Sequence, residues 1–197
     1  SRNGDLAGRM YVEHTLHTTA ALNESAQDIN TVTLEIGGQQ IDKHYGHWLE
    51  VWAELTENTT GRALGTNFQK TTGMGQGAAS THASAAVDGA TDTDVVHFTM
   101  PVLGSRKVYT PLQFFCNRNP GLALPLIALQ YHEVKVIFEW GTITAAGNDH
   151  ALWVDYIYLD TDERRRFAQV SHEYLIEQLQ FQDSSSSTTH DLNFNHP

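Results

Sequence analysis

The sequence predicts an all-β fold, a sandwich or barrel, and three observations carry that expectation. Apolar and polar residues alternate at period two in several short runs, as from Met10 to Leu16, which is the pattern of a strand with one buried face. Turn-forming residues such as Gly37-Gly38 separate these runs, as in antiparallel sheets rather than in alternating strand and helix. Only three stretches read as helical.

In chain order, Met10, Val12, His14 and Leu16 share one face of the first strand, with Tyr11, Glu13 and Thr15 on the other. In "VTLEI" the same alternation groups Val32, Leu34 and Ile36. Gly37 and Gly38 then read as a two-residue hairpin turn, where positive φ is required and glycine adopts it without steric cost. A phosphate cradle would need the glycines to lead directly into a helix N-terminus, whereas "QQID" prolongs the extended chain. Tyr45, Trp48, Leu49, Trp52 and Leu55 form one apolar stripe at helical spacing, the mark of an amphipathic helix. "KVYTPLQFF" groups Val108, Thr110, Leu112 and Phe114 on a strand, and Pro111 within it implies an edge or a bulge. "LPLIALQYH" reads as a short helix with Pro125 in its first turn. "EVKVIFEW" sets Val134, Val136, Phe138 and Trp140 against Lys135, Ile137 and Glu139. "LWVDYIYL" is apolar on both faces apart from Asp155, which is expected of a strand in a covered sheet. "DERRRFAQ" places acids ahead of arginines, the order that suits a helix dipole.

Composition narrows the function. Of 197 residues, 40% are hydrophobic and 18% charged, enough for an ordinary core. A net charge of −11 argues against nucleic acid as a partner, because phosphate binding needs clustered Lys and Arg. The basic run Arg164, Arg165 and Arg166 is flanked by Asp160, Asp162 and Glu163, and reads as a salt-bridged connector. The lone Cys116 excludes an internal disulfide and a multi-cysteine zinc site. No apolar stretch reaches membrane-spanning length, so direct membrane insertion is not expected. The chain opens on "SRNGDL" without Met and stops at "LNFNHP", as a fragment of something longer would. Residues 56–94, rich in Gly, Ala, Thr and Ser, read as a long loop, and "DSSSSTTHD" as a second one. Asn23 and Asn58 stand in sequons and are the possible glycosylation sites.

The chemical motifs are incomplete. His44 and His47 are expected on one face of the helix but lack a third ligand, and His14 and His17 point to opposite faces of a strand. "SHEY" lacks the second histidine of H-E-x-x-H, and "GTNFQKTTG" has Leu64 and Gln69 where a P-loop has glycines. No catalytic residue, metal or cofactor is expected, and the protein is read as a non-enzyme. Tyr11 and Trp153, if exposed, would suit stacking on sugars, which makes a carbohydrate-binding module the alternative; packing in a core or interface is the plainer account of both.

The blocks "SRNGDL", "LEIGGQQIDKHY", "PLQFFCNRNPGLALPLIALQYHEVK", "WVDYIYLDTDERRRFAQVSHEYLIEQLQF" and "LNFNHP" run in order along the chain. Together they resemble the major capsid proteins of nucleocytoplasmic large DNA viruses, those of algal viruses and iridoviruses above all. The resemblance implies a double jelly roll in each chain, trimers that form pseudo-hexagonal capsomers, and an icosahedral shell with neighbouring capsomers and minor capsid proteins as partners. It places the protein in the virion, assembled in the host cytoplasm. On this chain it implies a first jelly roll over 1–160 without its opening strand, a connector over 161–170, and the start of a second roll over 171–197.

Overall fold

A computed structural model of the chain describes residues 3–16, 26, 28–57, 71–72, 106–141, 150–182 and 189–194. His17, Asn23, Asn58, nearly all of 56–94 and the serine run at 183–188 lie outside the described residues. The described elements are β1 (Leu6–Leu16), β2 (Ile29–Ile36), β3 (Gln39–Tyr45), α1 (Gly46–Thr56), β4 (Arg106–Pro111), α2 (Phe115–Arg118), β5 (Leu124–Pro125), β6 (Val134–Trp140), β7 (His150–Ile157) and α3 (Thr161–Gln169). A 3-10 turn spans Pro120–Leu122.

The strands form two antiparallel sheets. In the first, β1 is central: β4 and β5 pair along one side of it and β7 along the other. In the second, the order is β3-β2-β6. Alternation decides which residues lie between the sheets. Met10 and Val12 of β1 meet Val32 and Leu34 of β2 in one core, joined by Leu49, Ala53, Leu112, Phe114 and Leu124. Burying each such large side chain is worth about 1.5–3 kcal/mol, so this seam is the main source of cohesion. Pro111 ends β4 opposite Tyr11, and β4 pairs only with β1 among the described residues, so its missing N–H breaks no ladder.

Between β2 and β3 the chain turns through Gly37 and Gly38 at φ +61° and +84°, setting Ile36 opposite Gln39. Helix α1 follows at once. Its buried residues are Gly46, Leu49 and Ala53, while Trp48 and Trp52 are half-buried and Leu55 is 75% exposed. The buried face is thus rotated from the expected stripe toward small residues. Gly46 explains the rotation: a Cβ there would lie 2.0 Å from Ala26 O and 2.3 Å from Ile29 O, so only glycine lets the helix approach this backbone.

Two expectations need correction. The stretch "LPLIALQYH" is not helical. Leu124 and Pro125 pair with Ala7 and Leu6 of β1, and turns follow, with the Ala128 and Leu129 amides both donating to Pro125 O at 3.0 and 3.1 Å. Pairing buries Leu124 and overrides local helical preference. Strand β7 is not in a covered sheet. It pairs with β1 alone among the described residues, and Leu152, Trp153, Tyr156 and Ile157 are 40%, 56%, 37% and 38% exposed.

Candidate assembly surface

The outer face of the first sheet carries an aromatic band. Tyr11 stands opposite both Pro111 of β4 and Trp153 of β7, and Tyr109 stands opposite Glu13. Glu13 organises the band: its carboxylate accepts from Lys107 Nζ on one side and, at 2.8 Å, from Trp153 Nε1 on the other. Lys107, and after it Trp153, hold the Glu13 carboxyl below its ordinary pKa. Tyr11, Tyr109, Trp153, Trp52 and Arg118 line an open cleft of about 970 Å³ here, with the Arg118 guanidinium 4.8 Å from the Trp52 ring centre. Tyr11 is half-buried, while Trp153 is 56% exposed and anchored through its Nε1 by Glu13.

Helix α3 is docked onto the start of β1. Asp160 caps it, accepting from the Glu163 amide at 2.8 Å. Arg164 reaches Asp5 at 2.9 Å, and the Leu159 amide donates to the same oxygen. Arg164, then Leu159, hold the Asp5 carboxyl below its ordinary pKa. Arg165 lies 3.9 Å from Asp162 on the exposed side, and Arg166 occupies the last turn, where a cation suits the dipole.

Residues 171–182 form no strand ladder among the described residues, yet His172, Tyr174, Ile176 and Leu179 are half-buried while most of their neighbours are exposed. Period-two alternation holds from Ser171 to Glu177 although strand pairing does not. The segment is fixed instead by Asp42, which accepts from the Leu179 amide at 3.1 Å, by Gln178 donating to Ile41 O, and by Arg118 pairing with Glu177 at 2.7 Å. Phe181 packs on Tyr45 with ring centres 4.5 Å apart. Residues 191–194 join it through Gln182, which donates to Asp191 O and accepts from the Asn193 amide.

His44 and His47 do not share a helix face. His44 ends up on β3, buried, 2.8 Å from Asp42 and stacked on Phe114, while His47 is exposed in the first turn of α1. Cys116 is buried, and desolvation pushes its thiol up to about 12, far from nucleophilic use. A grouping invisible in sequence spacing lies elsewhere: ligand atoms of His14, Asp28 and His150 all lie within 4.8 Å of one another. Only the β1–β7 register, which sets His14 opposite His150, could have revealed it.

Two packed antiparallel sheets with helices confined to connections define a jelly-roll fold. A family model described as the major capsid protein N-terminus matches residues 1–160, and the chain belongs to that family. It is 49% identical over 210 residues to the major capsid protein of Pyramimonas orientalis virus, covering 100% of this chain and 48% of the relative. To the major capsid protein of Paramecium bursaria Chlorella virus 1 it is 40% identical over 226 residues, covering 100% of this chain and 45% of the relative. The chain thus spans about half the length of these relatives. The fold matches a chain of the PBCV-1 virus capsid with a TM-score of 0.70 at 36% identity, over 100% of this chain and 48% of that one. The relatives are named as capsid proteins, not as enzymes.

Proposed function

We propose that the chain is the first jelly roll of a major capsid protein that builds the icosahedral shell of a large DNA virus. On this reading residues 1–160 form the roll, 161–170 the connector and 171–197 the start of a second roll. Three copies of the full protein form a pseudo-hexagonal capsomer, which meets neighbouring capsomers and minor capsid proteins in a virion assembled in the host cytoplasm. The family match over residues 1–160 carries the reading.

Physical features support it. The exposed apolar residues of β7 have no cover among the described residues, and a protein neighbour that covered the area they still expose would gain roughly half of the about 1.5–3 kcal/mol that full burial of a large side chain is worth. A charge of −11 disfavours DNA and anionic lipid as that neighbour. Closed three-fold symmetry buries two different sides of each copy, one against each neighbour, and leaves the outer rim for weaker contacts. Light scattering on the full-length protein tests it: a trimer mass is expected, weakened by Trp153→Asp, and a concentration-independent monomer at micromolar protein overturns it. Glycan-array binding lost on Trp153→Ala would instead favour the carbohydrate-binding alternative.

A further inference from the structure

His14 is 2% exposed, and neither of its ring nitrogens has a hydrogen-bond partner among the described residues. Buried polar groups are ordinarily paired, so an imidazole left bare at both nitrogens calls for an explanation. His150 faces it across the β1–β7 pair, with ring centres 5.2 Å apart and Nδ1 also unpartnered. Asp28, just before β2, brings a carboxylate oxygen to 3.8 Å from His150 Nε2, beyond hydrogen-bond range. Trp140 holds the arrangement, stacked on His150 at 3.8 Å and edge-on to His14 at 5.5 Å.

We propose that His14, Asp28 and His150 form a structural site for a zinc-class divalent ion that clips the two sheets together at one end of the sandwich. The donor set is two imidazoles and one carboxylate, which favours zinc and its late first-row neighbours over magnesium or calcium. Tetrahedral bonds of about 2.0 Å require donors roughly 3.3 Å apart. The 4.8 Å span must therefore close by about 1.5 Å, within reach of side-chain rotation. His150 keeps 21% of its side chain exposed, giving the ion an entry path and a place for a water ligand. The ion would join β1 and β7 of one sheet to the residue just before β2 in the other.

The test uses the intact capsid protein, stripped with chelator and titrated with zinc, cobalt, magnesium or calcium. About one equivalent of zinc is expected, with a rise in melting temperature of roughly 3 °C at a hundredfold excess over Kd. Cobalt should give visible d–d bands of a low-symmetry nitrogen and oxygen site. All three signals should vanish in His150→Ala and persist in His47→Ala. His14→Leu should fold without zinc and ignore it; should that variant fail to fold, the partly exposed His150 still decides. Zinc uptake well below one equivalent, binding that survives His150→Ala, or an equal response to magnesium overturns the proposal.

Discussion

Arg164 in α3 donates a hydrogen bond to Asp5 at 2.9 Å, joining positions 159 residues apart. Because the same Asp5 oxygen also accepts from the Leu159 amide, one carboxylate anchors both the end of β7 and the helix after it. Folding lowers the Asp5 pKa from its ordinary 3.8. A depressed carboxylate contributes stability that is complete above the unfolded pKa and lost as pH falls through the folded one. Asp5→Asn should therefore lower the urea midpoint at neutral pH, and the gap from wild type should close below the carboxylate range. A gap unchanged with pH would show that Asp5 acts by packing alone.

Asn117 should be costly to remove. It is 7% exposed, donates to Gly8 O at 2.8 Å and accepts from the Phe114 amide at 3.1 Å. It thus holds α2 against β1 and fixes the backbone that delivers Phe114 to the core. Asn117→Ala leaves a buried carbonyl and a buried amide unpaired, and should cost about 1–3 kcal/mol in denaturant unfolding. Substitution of the exposed Asn119 offers the comparison: it caps only a 3-10 turn through Gly121 at 2.9 Å and should cost less than about 1 kcal/mol.

What the sequence made legible follows the range of the forces involved. Strands β1, β2 and β6 show in the alternation of Met10, Val32 and Phe138 with polar neighbours, because burying one face is a local constraint. Helix α3 shows because its acids ahead of arginines are a local signal too, while its cap Asp160 emerges only in the structure. The stretch after Leu124 misleads because its apolar cluster suits helix and strand alike, and pairing with Leu6 and Ala7 decides between them. The exposure of β7 is illegible for another reason: apolar residues on both faces say that something covers them, not what. His14 reaches His150 through strand register and Asp28 reaches it through the packing of the two sheets, neither of which spacing along the chain encodes.

The two turn glycines should not be equivalent. Both have positive φ, so an alanine at either is strained by about 1 kcal/mol or more. At Gly37 a Cβ would also lie 2.6 Å from His132 Nδ1, whereas at Gly38 it meets nothing within 4 Å. His132 is exposed and can swing aside, so the extra cost of Gly37→Ala should be modest. Thermal unfolding of both variants checks this, and adding His132→Ala should erase the difference between them.

Asp42 should control whether residues 171–182 stay docked. Its Oδ1 accepts from the Lys43 amide at 2.9 Å and the Leu179 amide at 3.1 Å, while its Oδ2 lies 2.8 Å from His44 Nε2. The residue is 3% exposed, so these bonds act away from competing water. Hydrogen bonds to a charged group are worth about 1.5–3 kcal/mol, and every 1.4 kcal/mol is tenfold in an equilibrium. Asp42→Ala should thus speed exchange of the Leu179 amide by about tenfold or more if that amide opens locally. Glu177→Gln, which weakens only the partly exposed pair with Arg118, should change it by less than about threefold. Hydrogen exchange read at single residues separates the cases. If Leu179 exchanges no faster while β3 amides do, Asp42 supports the sheet through His44 and the segment is held by Phe181 on Tyr45 instead.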